Sequence, residues 1–147
     1  MISESTLLVR PEHLNHHGYL FGGRLLEWLD EQAYIGAIAN MKEGTGLVTV
    51  SIDRVQFKHQ VRNGSALKFQ SRLVHVGRTS MTMHTDVIKL PGSEVIFSAS
   101  VTFVALGSSG KPVRVAPLLL KAFKPETPDE KRWFKEVEDA RKQRGKS

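Results

Sequence analysis

The chain has 147 residues, a formal net charge of +6 at pH 7 and no cysteine. This length fits one domain with a hydrophobic core, and 40% hydrophobic with 24% charged residues is ordinary for a soluble globular protein. The lack of cysteine excludes disulfides, thiolate metal sites and a cysteine nucleophile. The first residues do not resemble a signal peptide and no apolar run is long enough to span a membrane, so we expect a cytoplasmic protein.

The positive charge suits a polyanionic partner, which is a nucleic acid, a membrane surface or a phosphorylated small molecule. A solvated basic surface would account for the charge equally well. Only 7% of the residues are aromatic, and no recognition helix or set of stacking aromatics is evident. We therefore expect neither a nucleic-acid partner nor a membrane partner.

A short strand is predicted over residues 4–10, where Pro11 ends it. A helix is predicted from residue 22 to about residue 40, because apolar residues recur at helical spacing on one face: Leu25, Leu26, Leu29, Ala33, Gly36 and Ala37. The other side is apolar too, at Trp28, Ile35, Ile38 and Ala39. A helix that is hydrophobic nearly all round is typical of a protein core.

Four later stretches alternate apolar and polar residues and predict strands, at residues 48–57, 67–73, 81–87 and 95–105. In the first of them the phase of the alternation changes near Asp53 and Arg54, which predicts a β-bulge. Turn signals separate the stretches at Asn63-Gly64, Gly77 and Pro91-Gly92. Successive strands joined by short turns predict an antiparallel meander.

The last part of the chain predicts a second helix. Thr127 suits the N-cap, Pro128 the first helical position and Glu130 the third. A narrow apolar stripe (Trp133, Phe134, Val137 and Ala140) lies among many basic residues. We expect an α+β fold in which a curved antiparallel sheet wraps around one long central helix, over residues 1–120, with a basic helical extension at 121–147. This extension is either solvated surface or an aid in binding phosphates.

The first predicted helix carries a carboxylate close to its apolar face. Glu27 and Glu31 lie further towards the polar side, so Asp30 is the acid that we expect to be half-buried. A half-buried carboxylate that faces a cleft is a candidate general base or nucleophile. The alternative is that Asp30 accepts a structural hydrogen bond from a neighbouring strand.

The same helix begins with Gly22 and Gly23. Glycine lets a ligand approach the unpaired backbone N–H groups at the positive end of a helix, where they stabilise an oxyanion. The alternative is a tight turn that requires positive φ. Two consecutive glycines favour the first interpretation.

Three sequence blocks carry a resemblance to a known family: NHHGYLFGGRLLEWLDEQA (15–33), VTVSIDRVQF (48–57) and VGRTSM (76–81). In this order they resemble the hotdog-fold acyl-CoA thioesterases, and most closely the broad-range acyl-CoA hydrolases that form hexamers. The resemblance covers residues 11–106. It departs from the family pattern at Gln60 and Ser65, and at Leu14, where a small residue is usual.

The resemblance implies a hotdog fold and the hydrolysis of acyl-CoA to a carboxylic acid and coenzyme A. Asp30 is then the catalytic carboxylate, Asn15 reaches the same site from the other subunit of a dimer, and the Gly23 N–H, beside Gly22, holds the thioester carbonyl. The assembly is a homodimer and, further, a trimer of dimers. The loop near the coenzyme A moiety consists of Gly77, Arg78, Thr79 and Ser80.

Three more basic residues on or after the second strand, Arg54, Lys58 and Arg62, either face the coenzyme A phosphates or are plain surface charge. A thioester has a good leaving group, so water activated by Asp30 and direct attack by Asp30 are both sufficient. The histidines show no metal-ligand spacing, so we expect neither a metal nor a cofactor. No Gly-x-Ser-x-Gly motif occurs, which argues against a thioesterase of the α/β-hydrolase fold.

Two alternative functions remain compatible with the sequence. The first is a non-catalytic protein that binds and senses acyl-CoA; such a regulator usually carries a helix-turn-helix, for which we see no spare segment. The second is a dehydratase of the same fold, which would use His16 or His17 with an acid. The pairing of Asn15 with Asp30 favours hydrolysis.

Overall fold

The computed structural model describes residues 2–144, which contain one antiparallel sheet and two α-helices. The strands are β1 (Ile2–Leu8), β2 (Gly46–Phe57), β3 (Ala66–Val76), β4 (Ser80–Lys89) and β5 (Val95–Leu106). Their order across the sheet is β1-β3-β4-β5-β2. The helices are α1 (Gly22–Ile38) and α2 (Pro128–Arg144), and short 3-10 turns lie at Pro11–His13 and Ala116–Leu118. The predicted elements are all present, and the α+β prediction is confirmed.

The predicted meander is only partly correct. β3, β4 and β5 are consecutive neighbours, but β2 pairs with β5 at one edge of the sheet and β1 pairs with β3 near the other. The turn at Gly64, where φ is +85°, therefore does not join β2 and β3 as a hairpin. Instead it binds the end of β1: Val9 N–H donates to Ser65 O at 2.8 Å and Gly64 N–H donates to Val9 O at 2.9 Å. Residues 58–65 thus carry the chain from the edge strand β2 across to β3, which lies next to the other edge strand, β1.

Helix α1 lies across one face of the sheet. Its buried residues are Leu25, Leu29, Gln32, Ala33, Gly36 and Ala37. Gly36 allows close packing, because a β-carbon there would lie 3.0 Å from Met83 Cε and 3.1 Å from Ser71 Cβ. The opposite side of the helix is exposed in a single chain, at Tyr34, Ile35 and Ile38. The prediction that α1 is buried all round is therefore wrong for the isolated subunit.

Strand β2 is an edge strand with two irregularities. The predicted bulge is confirmed, since the pairing shifts between Asp53 and Gln56, and Arg54 has a φ of 58°. A second shift that the sequence did not predict lies between Thr49 and Ser51. Thr49 comes just before it and pairs with the buried Phe103, so it lies on the face of the sheet that α1 covers.

Helix α2 packs on the opposite face of the sheet. The ring centroid of Phe134 lies 4.7 Å from that of His75, and Trp133 stacks on His84 at 5.5 Å. His75 Nε2 donates a hydrogen bond to the Glu138 carboxylate, and this bond holds the pKa of Glu138 below its usual range. The described part of the extension predicted at residues 121–147 is thus attached to the sheet by its apolar stripe, and residues 145–147 lie outside the described range.

The start of α2 is a capping box, as the sequence predicted. Thr127 Oγ1 accepts from Glu130 N–H at 3.1 Å, while Glu130 Oε2 accepts from the N–H groups of Thr127 and Glu126 at 3.0 and 2.7 Å. The two backbone bonds lower the pKa of Glu130. The Thr127 hydroxyl and the Glu130 carboxylate therefore bind backbone N–H groups that the helix itself leaves unpaired.

Replacing Thr127 with alanine should destabilise α2 by about 1 kcal/mol, because the N-cap hydroxyl is lost. The change is measured as faster amide hydrogen exchange in the first turns of α2. Thr127→Ser, which keeps the hydroxyl, is the matched control and should exchange like the unmodified protein. Equal exchange in all three proteins would contradict a stabilising role for the cap.

Candidate active site

Asp30 lies in the third turn of α1, half-buried, at the side of the helix that faces β2. Thr49 Oγ1 donates a hydrogen bond to Asp30 Oδ1 at 2.8 Å. The second carboxylate oxygen has no donor among residues 2–144. The strand contact that the sequence offered as an alternative is thus present, yet it leaves one oxygen of Asp30 available for chemistry.

Sequence reasoning missed Thr49. Two features of the sequence point to Thr49. It lies inside the VTVSIDRVQF block, and in the alternation of this strand it is on the opposite face to Val48. The bulge that follows conceals this in the sequence, since simple alternation predicts that Val48, Val50 and Ile52 share one face. The observed register instead turns Thr49 towards α1.

The two glycines are the first residues of α1, and neither has a positive φ. The tight-turn alternative is therefore wrong. A β-carbon on Gly23 would lie 2.7 Å from the Phe21 ring, and one on Gly22 would lie 3.5 Å from Phe57. No side chain caps this helix end. In the part of the chain that the structure describes, the N–H groups of both glycines have no acceptor, so they are free to bind a ligand oxygen.

Asn15 shapes the turn that precedes α1. Its Oδ1 accepts from His17 N–H at 2.9 Å and from Tyr19 N–H at 3.2 Å. Its Nδ2 finds no acceptor within residues 2–144. Asn15 lines a cavity of about 270 Å³ together with Gly22 and Lys58, and Asp30 is not among the lining residues. One subunit alone therefore does not bring Asn15 and Asp30 to the same cavity.

A family model for the thioesterase superfamily matches residues 17–96, which is more than half of the chain and includes Asp30 and both glycines. The chain belongs to the thioesterase superfamily. A curated relative, the uncharacterised acyl-CoA thioester hydrolase YkhA of Bacillus subtilis, is 36% identical over 129 residues, which are 85% of this chain and 71% of that protein. The cytosolic acyl coenzyme A thioester hydrolase of Rattus norvegicus is 34% identical over 142 residues, and the chain spans 35% of its length.

Solved structures also support the assignment of this chain to the thioesterase superfamily. A hexameric acyl-CoA thioesterase superposes with a TM-score of 0.84 at 33% identity, over 99% of this chain and 91% of that one. The acyl-CoA hydrolase of Staphylococcus aureus, solved with butyryl-CoA, CoA and CoA disulfide, gives 0.79 at 28% identity, over 99% and 88%. The hotdog fold and the prediction of an enzyme are confirmed.

Variants of the S. aureus enzyme have also been solved, with one aspartate or one asparagine replaced by alanine. Those two residues are fifteen positions apart in that enzyme. Asn15 and Asp30 have the same separation here.

The thioesterase holds its 77–80 loop between β3 and β4 by backbone bonds. Gly77 N–H donates to Ser80 O at 2.8 Å, Ala105 N–H to Thr79 O at 2.9 Å, and Val115 N–H to Arg78 O at 2.9 Å. The Arg78 side chain is exposed, and no carboxylate in the described chain lies within 4.0 Å of it. The loop is therefore fixed, while the charge of Arg78 stays available.

Lys58 and Arg54, two of the other cations predicted to face the coenzyme A phosphates, have different surroundings. Lys58 is exposed, lines the Asn15 cavity and has no ion-pair partner in the described range. Arg54 is bound to α2: its Nη1 lies 2.5 Å from Glu136 Oε2, and its Nη2 donates to Glu136 O at 2.8 Å. The structure thus brings Lys58 near Asn15 and Gly22, and attaches Arg54 to α2.

The described part of the thioesterase shows neither a metal-binding cluster nor a membrane-spanning helix. Among residues 2–144, no group of three His, Asp or Glu side chains is arranged to hold a metal ion. No helix in the same range is both long and apolar enough to cross a bilayer.

Proposed function

We propose that this thioesterase hydrolyses acyl-CoA to a carboxylic acid and coenzyme A, with Asp30 as the general base or nucleophile. The observation that carries the proposal is a half-buried Asp30 carboxylate with one free oxygen, on the helix whose first N–H groups are unpaired. The names of the B. subtilis and rat relatives support acyl-CoA as the substrate class, and the name of the rat enzyme supports a cytoplasmic location.

The chemistry requires little beyond these groups. The Gly23 N–H binds the thioester carbonyl oxygen and stabilises the negative charge that develops on it. Asp30 then either takes a proton from the attacking water or attacks the carbonyl itself, and the resulting anhydride is cleaved by water. In both routes the C–S bond breaks, the thiolate of coenzyme A leaves and one water is consumed. No cofactor takes part.

We propose further that the active unit is a homodimer within a trimer of dimers. Strand β2 pairs with β5 only and exposes apolar side chains, including Val50 and Phe57, which are 55% and 56% exposed. An exposed apolar edge strand is an aggregation hazard unless a partner covers it. A second copy related by a two-fold axis would bury β2 and the exposed side of α1.

This dimer would also complete the active site. Asn15 and the glycine start of α1 from one subunit would approach Asp30 of the other, which is in keeping with the absence of Asp30 from the cavity that Asn15 and Gly22 line in a single chain. Within one chain Gly23 and Asp30 lie seven residues, or about 10 Å, apart along α1. The equal spacing of the asparagine and aspartate in the S. aureus enzyme supports their joint role. The name of the hexameric relative supports the larger assembly.

Coenzyme A also presents a polyanionic nucleotide end to the protein. We assign its phosphates to the 77–80 loop with Arg78, which has no carboxylate partner in the described chain. Lys58 of the same chain lies at the opposite end of β2, so it would reach these phosphates only from a neighbouring subunit. Arg54 would first have to exchange Glu136 for a phosphate.

The direct test is the release of free thiol from a panel of acyl-CoA thioesters of increasing chain length, measured with Ellman's reagent. We expect turnover of at least one chain-length class, at a kcat/KM of about 10⁴ M⁻¹s⁻¹ or above, as is usual for enzymes with their own substrates. The same acyl groups as oxygen esters should be poor substrates, because an alkoxide leaves far less readily than a thiolate. No thiol release from any acyl-CoA would refute the proposal.

A further inference from the structure

Helix α2 and the 77–80 loop fit closely against each other. A β-carbon on Gly77 would collide with Arg141 Nη1 and would lie 2.7 Å from Ser80 Oγ. Gly77 has no positive φ, so its backbone conformation does not require glycine. The guanidinium of Arg141 instead occupies the space that a side chain at position 77 would enter. Glycine thus lets the end of the Arg141 side chain lie directly against the backbone of the loop.

The charge of Arg141 is not used in an ion pair. On the same helix Arg132 pairs with Asp129 at 3.1 Å, and Arg144 pairs with Asp53 at 3.4 Å. Arg141 has no carboxylate within 4.0 Å among residues 2–144. The nearest acid along the helix is Glu138, whose carboxylate is bound by His75.

Two arginines are therefore associated with one loop, because Arg78 belongs to the loop and Arg141 lies against Gly77. Neither has a carboxylate within 4.0 Å in the described chain, and Arg141 contributes only a weaker, longer-range interaction that helps to lower the pKa of Glu138. Guanidinium groups bind phosphates by paired, charge-assisted hydrogen bonds, so such a pair suits a ligand that carries several phosphate charges.

Three contacts hold α2, and with it the backbone of Arg141, against the sheet before any ligand arrives. Phe134 packs on the buried His75, Trp133 lies between His84 and Arg72, and Arg54 binds Glu136. The backbone position of Arg141 is thus set in advance, and only its exposed side chain has to be ordered when a phosphate binds. Docking of α2 on the sheet thus has a use beyond covering the sheet.

We propose that Arg141 is a substrate-binding residue and that α2 forms one wall of the subsite for the phosphorylated nucleotide of the substrate. This inference rests on the proposed function, since it takes coenzyme A as the ligand of the 77–80 loop. It adds α2 to the site and predicts that the enzyme distinguishes a thioester of coenzyme A from one that lacks the nucleotide.

The test compares Arg141→Ala with Arg132→Ala, a control on the same helix that loses an arginine already paired with Asp129. Two thioesters of the same acyl group are used, one of coenzyme A and one of pantetheine. We expect Arg141→Ala to raise KM for acyl-CoA about tenfold or more with kcat unchanged, as for the loss of hydrogen bonds to a charged group. Its kinetics with acyl-pantetheine and all kinetics of Arg132→Ala should match the unmodified enzyme.

Binding of adenosine 3′,5′-bisphosphate, measured by calorimetry, gives a readout that does not depend on turnover. Arg141→Ala should weaken it by a similar factor, and Arg141→Lys, which keeps the charge, should recover part of the loss. Thermal melting checks the fold of each variant. Unchanged KM and unchanged nucleotide binding would overturn the inference, as would an equal loss with both thioesters. If the unmodified protein binds the nucleotide but cleaves no acyl-CoA, the proposed function fails and the subsite stands.

Discussion

Asp30→Asn is expected to lower kcat for acyl-CoA hydrolysis by about 10²-fold or more, the usual effect of losing a general base. An amide can neither take up a proton from water nor attack the carbonyl as a carboxylate does. The fold should be kept, because the amide oxygen of asparagine can still accept the hydrogen bond from Thr49. Turnover at saturating substrate and the thermal melting curve are measured on the same preparation.

The matched control is Glu31→Gln, which removes the same charge from the next residue. Glu31 is exposed, so the control should keep the turnover of the unmodified enzyme. If Asp30→Asn melts normally and turns over acyl-CoA at an unchanged rate, Asp30 is structural and the base must be sought elsewhere. A loss of activity in both variants would mean that net charge, and not a reacting carboxylate, is responsible.

The parts of the fold that local sequence pattern controls were predicted well. Helix α1 begins at Gly22 and α2 begins at Pro128, as the glycine pair and the capping residues indicated. The placement of β2 was not predicted, because alternation and turn residues report that a strand exists but carry no information on its partner. Pairing of β2 with β5 joins residues about fifty positions apart, and no local signal marks such a contact.

The same distinction applies to the site. Asp30 and Gly23 were identified because both lie on one helix, whose geometry the sequence determines. Thr49 was missed because an unpredicted bulge reverses the faces of β2. Arg141 received no specific role, because its contact with Gly77 depends on which side of the sheet α2 packs against. That choice depends on His75, whose aromatic and ionic contacts to Phe134 and Glu138 span some sixty residues.

A shared active site predicts that two inactive variants restore each other's activity. Asn15→Ala and Asp30→Asn should each reduce turnover strongly when alone. Mixed under conditions of subunit exchange, they form dimers in which one site holds both defects and the other has an intact Asn15 and an intact Asp30. Each mixed dimer should therefore regain up to about half of the activity of an unmodified dimer, since one of its two sites is whole.

Thiol release is followed after mixing, and exchange is established independently by mass spectrometry of differently tagged subunits. The control is the double variant Asn15→Ala with Asp30→Asn mixed with Asp30→Asn alone, in which no site can hold an intact Asp30 and activity should stay at the level of the single variants. Proven exchange without recovery would mean that both residues of a site come from one chain. A stable monomer with full activity in light scattering would contradict the dimer outright, because the exposed edge of β2 would then need no partner.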